Sequence, residues 1–532
     1  MRRVYKYMVM AVLSAMTIGC IENDIPYPVV KLEILDIEAE GLKSAASIDS
    51  DNYTVKLELV EQTDIREVDI TSVTLTEGAE SHVEFPATFD MRNPLYVTLS
   101  MYQTFEWTIT ASQYVERYFT VDGQIGESEI DPVGHIVRVY MPKGTDLTNI
   151  KVTSAKLGPK DVTTYSPDPL TLTSFDGTVR NVEVCYHGDI EELWTIFVET
   201  KDVDVELECA DAWAKRIWLK ANGRSDVERG FRYRLAGSEE WIEVSGVEHN
   251  AGRFSACVEG LEPLTDYEVV AYCGESTTPI VALTTEDVFT LPNSGFEAWS
   301  TYDGCIYPYA EGDAPFWGTG NPGAAIANAT LTSPVADVRP GSEGSSAASL
   351  QSMKAAVMGI GKFAAGNLFV GNFAGLSGLD GIVHFGRPCT ARPVALRGWV
   401  KYNCGVIDEV GRVPAARPNL AKGDNDEGQI MVAVGNWSAE EYGGVADSPV
   451  AVDTKDESTY FNHQGKDVIG SGQLLFNEST DGWVEFVVPL EYRSTSEIPT
   501  HIIIVFTGSH FGDYFTGSTQ SLMLVDDVEL VY

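Results

Sequence analysis

The chain has 532 residues, 44% of them hydrophobic, and a formal net charge of −41 at pH 7 from 37 basic and 78 acidic side chains. This is ordinary globular material rather than a disordered acidic tail. Its negative field repels phosphate backbones, which excludes nucleic acid as a partner. The length leaves room for about three to four domains. Eight cysteines (Cys20, Cys185, Cys209, Cys257, Cys273, Cys305, Cys389 and Cys404) include no CxxC pair, which argues against a zinc or redox motif.

The first 28 residues read as an address. Arg2, Arg3 and Lys6 precede an apolar run from Tyr7 to Ile18, and Thr17-Ile18-Gly19-Cys20 closes it. A basic start followed by a short apolar stretch is the layout of a secretory signal peptide over 1–19, too short for a permanent membrane span. The closing tetrapeptide resembles a bacterial lipobox, which implies lipidation at Cys20. The other reading is an ordinary signal peptide that contains a cysteine. Glu22-Asn23-Asp24 resembles the acidic export tag of Bacteroidetes-type lipoproteins, and Pro26 and Pro28 stiffen a tether over 20–28. The resemblance implies outer-membrane attachment by lipid alone, facing the cell exterior. With Cys20 acylated, seven thiols remain, and mostly buried, unpaired thiols are expected.

From Val29 to Asp202 short alternating runs are broken by Gly, Pro, Asn and Asp, the pattern of β-strands. Ile48–Leu75 aligns without gaps on Ile130–Leu157, with eight of 28 positions identical. Val55, Leu57 and Leu59 correspond to Val137, Val139 and Met141 on the expected core face. "FEWTI" at Phe105 is answered by "ELWTI" at Glu192. Two β-sandwich repeats are expected, over 29–116 and 117–202, serving as stalk.

A third module, 203–286, contains "GLEPLTDYEVVAY" from Gly260, which resembles the corner of a fibronectin type III domain. The resemblance implies that the Tyr267 hydroxyl turns back to the preceding loop. Side-chain parity places Val269, Ala271 and Cys273 inward with Tyr267 and leaves Cys257 outward, which disfavours a Cys257–Cys273 disulfide. Trp213, Trp218 and Trp241 read as core or edge fillers, with sugar contact the minority reading.

In the last module, 287–532, glycine and aromatic residues become dense. "NSGFEAW", "FWGTGNPG", "GKFAAGNLFVGNF", "HFGRPCTARPVALRGWVKY" and "LVDDVELVY" occur in that order between Asn293 and Tyr532. Together they resemble the family called the putative carbohydrate metabolism domain. The resemblance implies a jelly roll similar to carbohydrate-binding modules and supplies no catalytic residue set.

Read alone, "ALRGWVKYN" puts Leu396, Gly398, Val400 and Tyr402 on one face and Arg397, Trp399, Lys401 and Asn403 on the other. A tryptophan between two cations suits a sugar platform, in which C–H groups stack on the ring. The alternative is a ring covered by a loop or a second layer. Trp317, Trp437 and Tyr442 are further sugar-binding candidates in apparent loops, with Tyr307, Tyr309, Phe511 and Tyr514. Glu297, Asp526 and Asp527 raise a structural Ca²⁺, a hard cation that takes carboxylate oxygens, against the plainer reading of solvated acids. "GDNDEG" at Gly423 reads as an exposed acidic loop. The GxGxxG string at Gly318 contains Pro322 and lies in no βα unit, so it reads as a turn.

No HExxH, GxSxG or triad spacing is present, and His384, His463, His501 and His510 are scattered. A carboxylate pair of glycosidase type remains open, with nothing selecting one pair. The expected architecture is all-β: a string of small β-sandwiches followed by a large C-terminal jelly roll. The expected function is non-catalytic glycan binding at the cell surface, with no required cofactor. A glycoside hydrolase is one alternative. An adhesion or scaffold protein with surface protein partners is the other.

Overall fold

The computed structural model describes residues 31–50, 52–101, 103–176, 179–357, 360–414 and 417–532. Cys20 and the acidic residues after it lie outside the described residues. Among those described, no helix is long and apolar enough to cross a membrane. The chain is all-β and multi-domain, a series of two-sheet sandwiches with only short helical turns.

The first sandwich packs a three-stranded sheet, Ile34–Ala39, Val68–Leu75 and Ala87–Phe89, on a five-stranded one. In the latter, Thr54–Leu59 runs parallel to Thr104–Gln113. Alternation in "TVKLEL" sends Val55, Leu57 and Leu59 inward against Trp107, and all four are buried.

The next sandwich has a five-stranded sheet of the same order, in which Ile136–Pro142 runs parallel to Ile190–Lys201. Val137, Val139 and Met141 face Trp194 in its core. Strands between Val205 and Thr284 form the third sandwich. Here the Tyr267 hydroxyl accepts the Glu262 amide at 3.1 Å, closing the expected corner. The seven described cysteines are all free thiols, three of them buried (Cys273, Cys305 and Cys389).

Two joints stiffen this stretch. Buried Gln124 holds the Val121 amide and the Gly126 carbonyl. Beside it the Gly126, Gly223 and Gly252 backbones exchange hydrogen bonds between the second and third sandwiches. An added Cβ at Gly252 would lie 2.2 Å from the Gly126 nitrogen, so only glycine permits that approach. At the other joint, Trp213 of the third sandwich donates to the Thr495 carbonyl at 2.9 Å and packs on Tyr492, ring centres 4.6 Å apart.

The C-terminal module is the largest sandwich. Its five-stranded sheet runs Thr332–Val335, Ala347–Gln351, Leu522–Val531, Ala395–Asn403, Val484–Pro489. The facing ten-stranded sheet is centred on Asp380–Phe385, Asn367–Ser377, His501–Thr507, Gly428–Gly435 and Val468–Phe476. Leu396, Val400 and Tyr402 meet Ile430, Val432, Ile502, Ile504 and Phe506 between the sheets. "IMVAV" and "IIIVF" are apolar at consecutive positions, so both faces of these central strands need cover. Their second face carries Met431, Ala433 and Ile503, packed under Trp437, Val450, Val452 and Val468. That cover stops partway along the strands, and a concave surface remains.

Candidate functional site: an aromatic cleft on the large sheet

The uncovered part of this face is a cleft with a cavity volume of about 790 Å³, within the range of small-molecule sites. Strand register fixes its floor. Gln429 and Asn367 both lie opposite Thr507, and two residues along, Met431 and Phe369 both lie opposite Val505. The walls are loops carrying Tyr460 and Phe461 on one side, and His510, Phe511, Tyr514 and Phe515 on the other. The Tyr460 and Tyr514 rings meet edge to face, centres 5.2 Å apart.

Arg412 ties the two walls. It donates to the Tyr460 hydroxyl at 2.6 Å, the Asp513 carbonyl at 2.9 Å and the Thr454 carbonyl, and pairs with Glu457 at 3.2 Å. At the polar end Glu427 pairs with Arg417 at 2.9 Å, and that guanidinium lies 5.6 Å from the Phe511 ring centre.

Beneath the second wall sits Asp426, fully buried. Its Oδ2 accepts the Ser509 hydroxyl (2.6 Å), the Ser521 hydroxyl (2.7 Å) and the Ser518 amide (2.8 Å), while Oδ1 accepts the Glu427 amide (2.9 Å). Ser509 spends its proton on Asp426, so Ser352 donates to Ser509, and Ser352 in turn accepts the Gly366 amide. The chain of bonds anchors the loop that bears the four rings. "GDNDEG" is therefore not simply exposed: Asp424 and Asn425 face water, whereas Asp426 and Glu427 are buried because protein donors replace water around the carboxylate.

The residues singled out in the sequence do not converge. Phe511 and Tyr514 line the cleft. Trp317 and Trp437 do not stand in exposed loops; they are buried at 1% and 4% exposure, which leaves no ring face for a sugar. Trp317 donates to the Pro292 carbonyl in the main core, and Trp437 packs on Phe461. Tyr442 is half-buried, its hydroxyl on Asp467 at 2.5 Å. Tyr307 and Tyr309 stack on each other, centres 5.5 Å apart, away from the cleft.

Trp399 lies on the outward face of the five-stranded sheet, half-buried, with the Arg339 guanidinium 5.4 Å from its ring centre. Its neighbours are spoken for: Arg397 pairs with Glu529 at 2.7 Å, and Lys401 with Asp337 at 2.7 Å. Phe369, Tyr460, Phe461 and Phe515 were missed by sequence reasoning. The signal available was Asn367, Phe369, Gly371 and Phe373 alternating on one face of a strand whose other face is core.

The carboxylates expected to hold Ca²⁺ meet protein donors instead. Glu297 accepts the Ser345 and Ser346 amides at 3.0 Å each, and Asp527 takes the Arg339 guanidinium at 2.6 Å. Asp526 Oδ2 accepts the Arg339 amide, while its buried Oδ1 has no partner. Among the described residues no three His, Cys, Asp or Glu side chains are grouped to hold a metal.

Histidines give the module an acid limit. Burial holds His510 below the ordinary 6.5, with Glu427 pulling up and Arg417 and His463 pushing further down; burial likewise lowers His463 and His384. The unfolded chain then binds more protons, so stability is full above about pH 6.5 and falls as pH drops through the folded values. Thermal melts from pH 8 to 5 should show this loss, and His510→Gln should flatten it. Identical profiles for the two proteins would reject the role of His510.

Fold and cleft together define a multi-module β-sandwich chain whose last module presents a ligand-sized groove. Residues 294–531 of that module match the family model described as Putative carbohydrate metabolism domain. No curated protein matches the chain. Among solved structures, the chain is similar to a putative glycoside hydrolase from Bacteroides thetaiotaomicron, at 16% identity over 95% of this chain and 98% of that one, TM-score 0.31. A second, from Bacteroides vulgatus, has 22% identity over 44% and 96%, TM-score 0.33. A third is the Bacteroides ovatus mixed-linkage glucan utilization locus protein SGBP-B in complex with a mixed-linkage heptasaccharide, at 9% identity over 79% and 87%, TM-score 0.18.

Proposed function

We propose that the C-terminal module binds glycan without cleaving it, in the cleft of the large sheet, on a chain tethered to the outer membrane through lipid on Cys20. One observation carries the binding reading: half-buried rings of Tyr460, Tyr514 and Phe515 line the same concave site as Arg417, Glu427 and Gln429. Sugars need both surfaces, a ring for C–H stacking and polar groups for hydroxyls. The description of the family model agrees with a carbohydrate ligand.

A glycan array with the purified chain, followed by titration calorimetry on any hit, tests the proposal. Ring contacts of this kind contribute about 0.5–1.5 kcal/mol. Tyr514→Ala should therefore weaken binding by up to about tenfold, since ~1.4 kcal/mol is a decade.

A second reading puts the sugar on Trp399, favoured by its half-exposed ring above a polar hollow of about 430 Å³. Loss of binding in Trp399→Ala, with Tyr514→Ala unaffected, would move the site there. A hydrolase is favoured by one observation, that Glu427 and Asp513 line the same cleft. Release of new reducing ends from a bound glycan would replace capture by cleavage.

A further inference from the structure

The cleft has two chemically different ends, and the floor shows it in successive rows. The row Gln429, Thr507, Asn367 is polar; the next row, Met431, Val505, Phe369, offers no hydrogen-bonding side chain. Two residues along a strand is about 6.6–6.8 Å, so the change is abrupt on the scale of one sugar ring. The polar row continues into Glu427, Arg417 and His510. The apolar row continues along the hairpin of Asn367–Ser377 and Asp380–Phe385, where Leu376 and Leu379 stand 38% and 53% exposed at the cleft's mouth.

Sugar hydroxyls find few open partners on that second half, where Lys362 is paired with Asp380 at 2.7 Å and Thr454 accepts the Gly381 amide. Aliphatic side chains offer them no partner, and a buried hydroxyl without one is unfavourable. Leu376 and Leu379 at the rim of a preformed hollow offer apolar surface that a ligand can cover at a gain.

Building on the glycan reading, we infer that the occupant is a glycoconjugate: a sugar bearing a compact apolar group, such as an alkyl or aryl aglycone or an acyl ester. The sugar lies over Gln429, Thr507 and the Glu427–Arg417 pair. The apolar group lies against half-buried Val505 and Phe373, with buried Met431 and Phe369 behind them, and extends to Leu376 and Leu379.

The test uses the full chain and two probe series matched in sugar and anomer, the methyl and the hexyl glycosides of glucose, galactose, mannose and xylose, below micelle formation, with 1-hexanol alongside. Calorimetry should show at least one hexyl glycoside binding tenfold or more tightly than its methyl partner. Leu379→Asp, at an exposed position that folding tolerates, should remove that gain and leave the methyl glycoside unchanged. Equal affinities in the two series would overturn this inference and leave the glycan reading standing. Hexanol binding as tightly as the hexyl glycosides, or no glycoside binding at all, would overturn both.

Discussion

Asp426→Ala is expected to destabilise the C-terminal module by about 2–6 kcal/mol and to abolish ligand binding in the cleft. The carboxylate accepts the Ser518 and Glu427 amides, and each buried amide left unpaired costs about 1–3 kcal/mol. The Ser509 and Ser521 hydroxyls can rotate, so they add less. Because Ser509 and Ser518 bracket the loop bearing His510, Phe511, Tyr514 and Phe515, the wall should loosen before the core melts. Asp426→Asn should restore part of the stability by keeping one acceptor oxygen.

Burial pushes the Asp426 carboxyl above its ordinary 3.8, against the pull of Ser509, Ser521 and the Ser518 amide. With the folded value raised, the charge costs stability at neutral pH, and that cost fades as pH falls through the folded value. The deficit of the Asn variant relative to wild type should therefore widen in acid. Calorimetric melts of the three proteins decide this, and a loss under about 1 kcal/mol in the alanine variant would show the network to be dispensable.

Arg392→Ala should have an effect of similar size at a different place. Arg392 is 4% exposed. It holds Glu286 through two bonds of 2.6 and 3.2 Å, the Ala212 carbonyl at 2.9 Å and the Thr495 carbonyl, with Trp213 5.2 Å below its guanidinium. Removing one partner of such a pair costs about 3–5 kcal/mol, since the other charge stays partly buried. The lower end is expected, as the Glu286 side chain keeps 20% exposure. The loss falls on the joint between the third sandwich and the C-terminal module. Calorimetry should show their melting separate into two transitions, and protease should cut near residue 286. One unchanged transition with unchanged protease resistance would contradict a joint built on Arg392.

Strand parity made much of this legible. Val55, Leu57 and Leu59, Val137, Val139 and Met141, and Leu396, Val400 and Tyr402 are buried because alternation alone assigns them a face. Tyr267 was readable because its corner is local. Trp317 and Trp437 were misread: polar and glycine-rich neighbours suggested exposed loops, whereas partners distant in the chain, Pro292 and Phe461 among them, bury the rings.

Asp426 was hidden for a related reason. Its donors come from Ser509, Ser518 and Ser521, more than 80 residues along the chain, and no local pattern marks them. The cleft itself arises because the segment from Trp437 to Val468 covers only part of the large sheet. Phe511 and Tyr514 could be suspected as aromatics, but the meeting of Tyr514 with Tyr460 is a property of two loops brought together by Arg412.

The most direct measurement is a crystal structure of the chain soaked with the glycan that ranks highest in array and calorimetry. The proposed function predicts sugar density in the cleft, with a ring against Tyr514 or Phe515 and hydroxyls within hydrogen-bonding distance of Gln429, Glu427 or Arg417. Density stacked on Trp399, or on the third sandwich with the cleft empty, would contradict it.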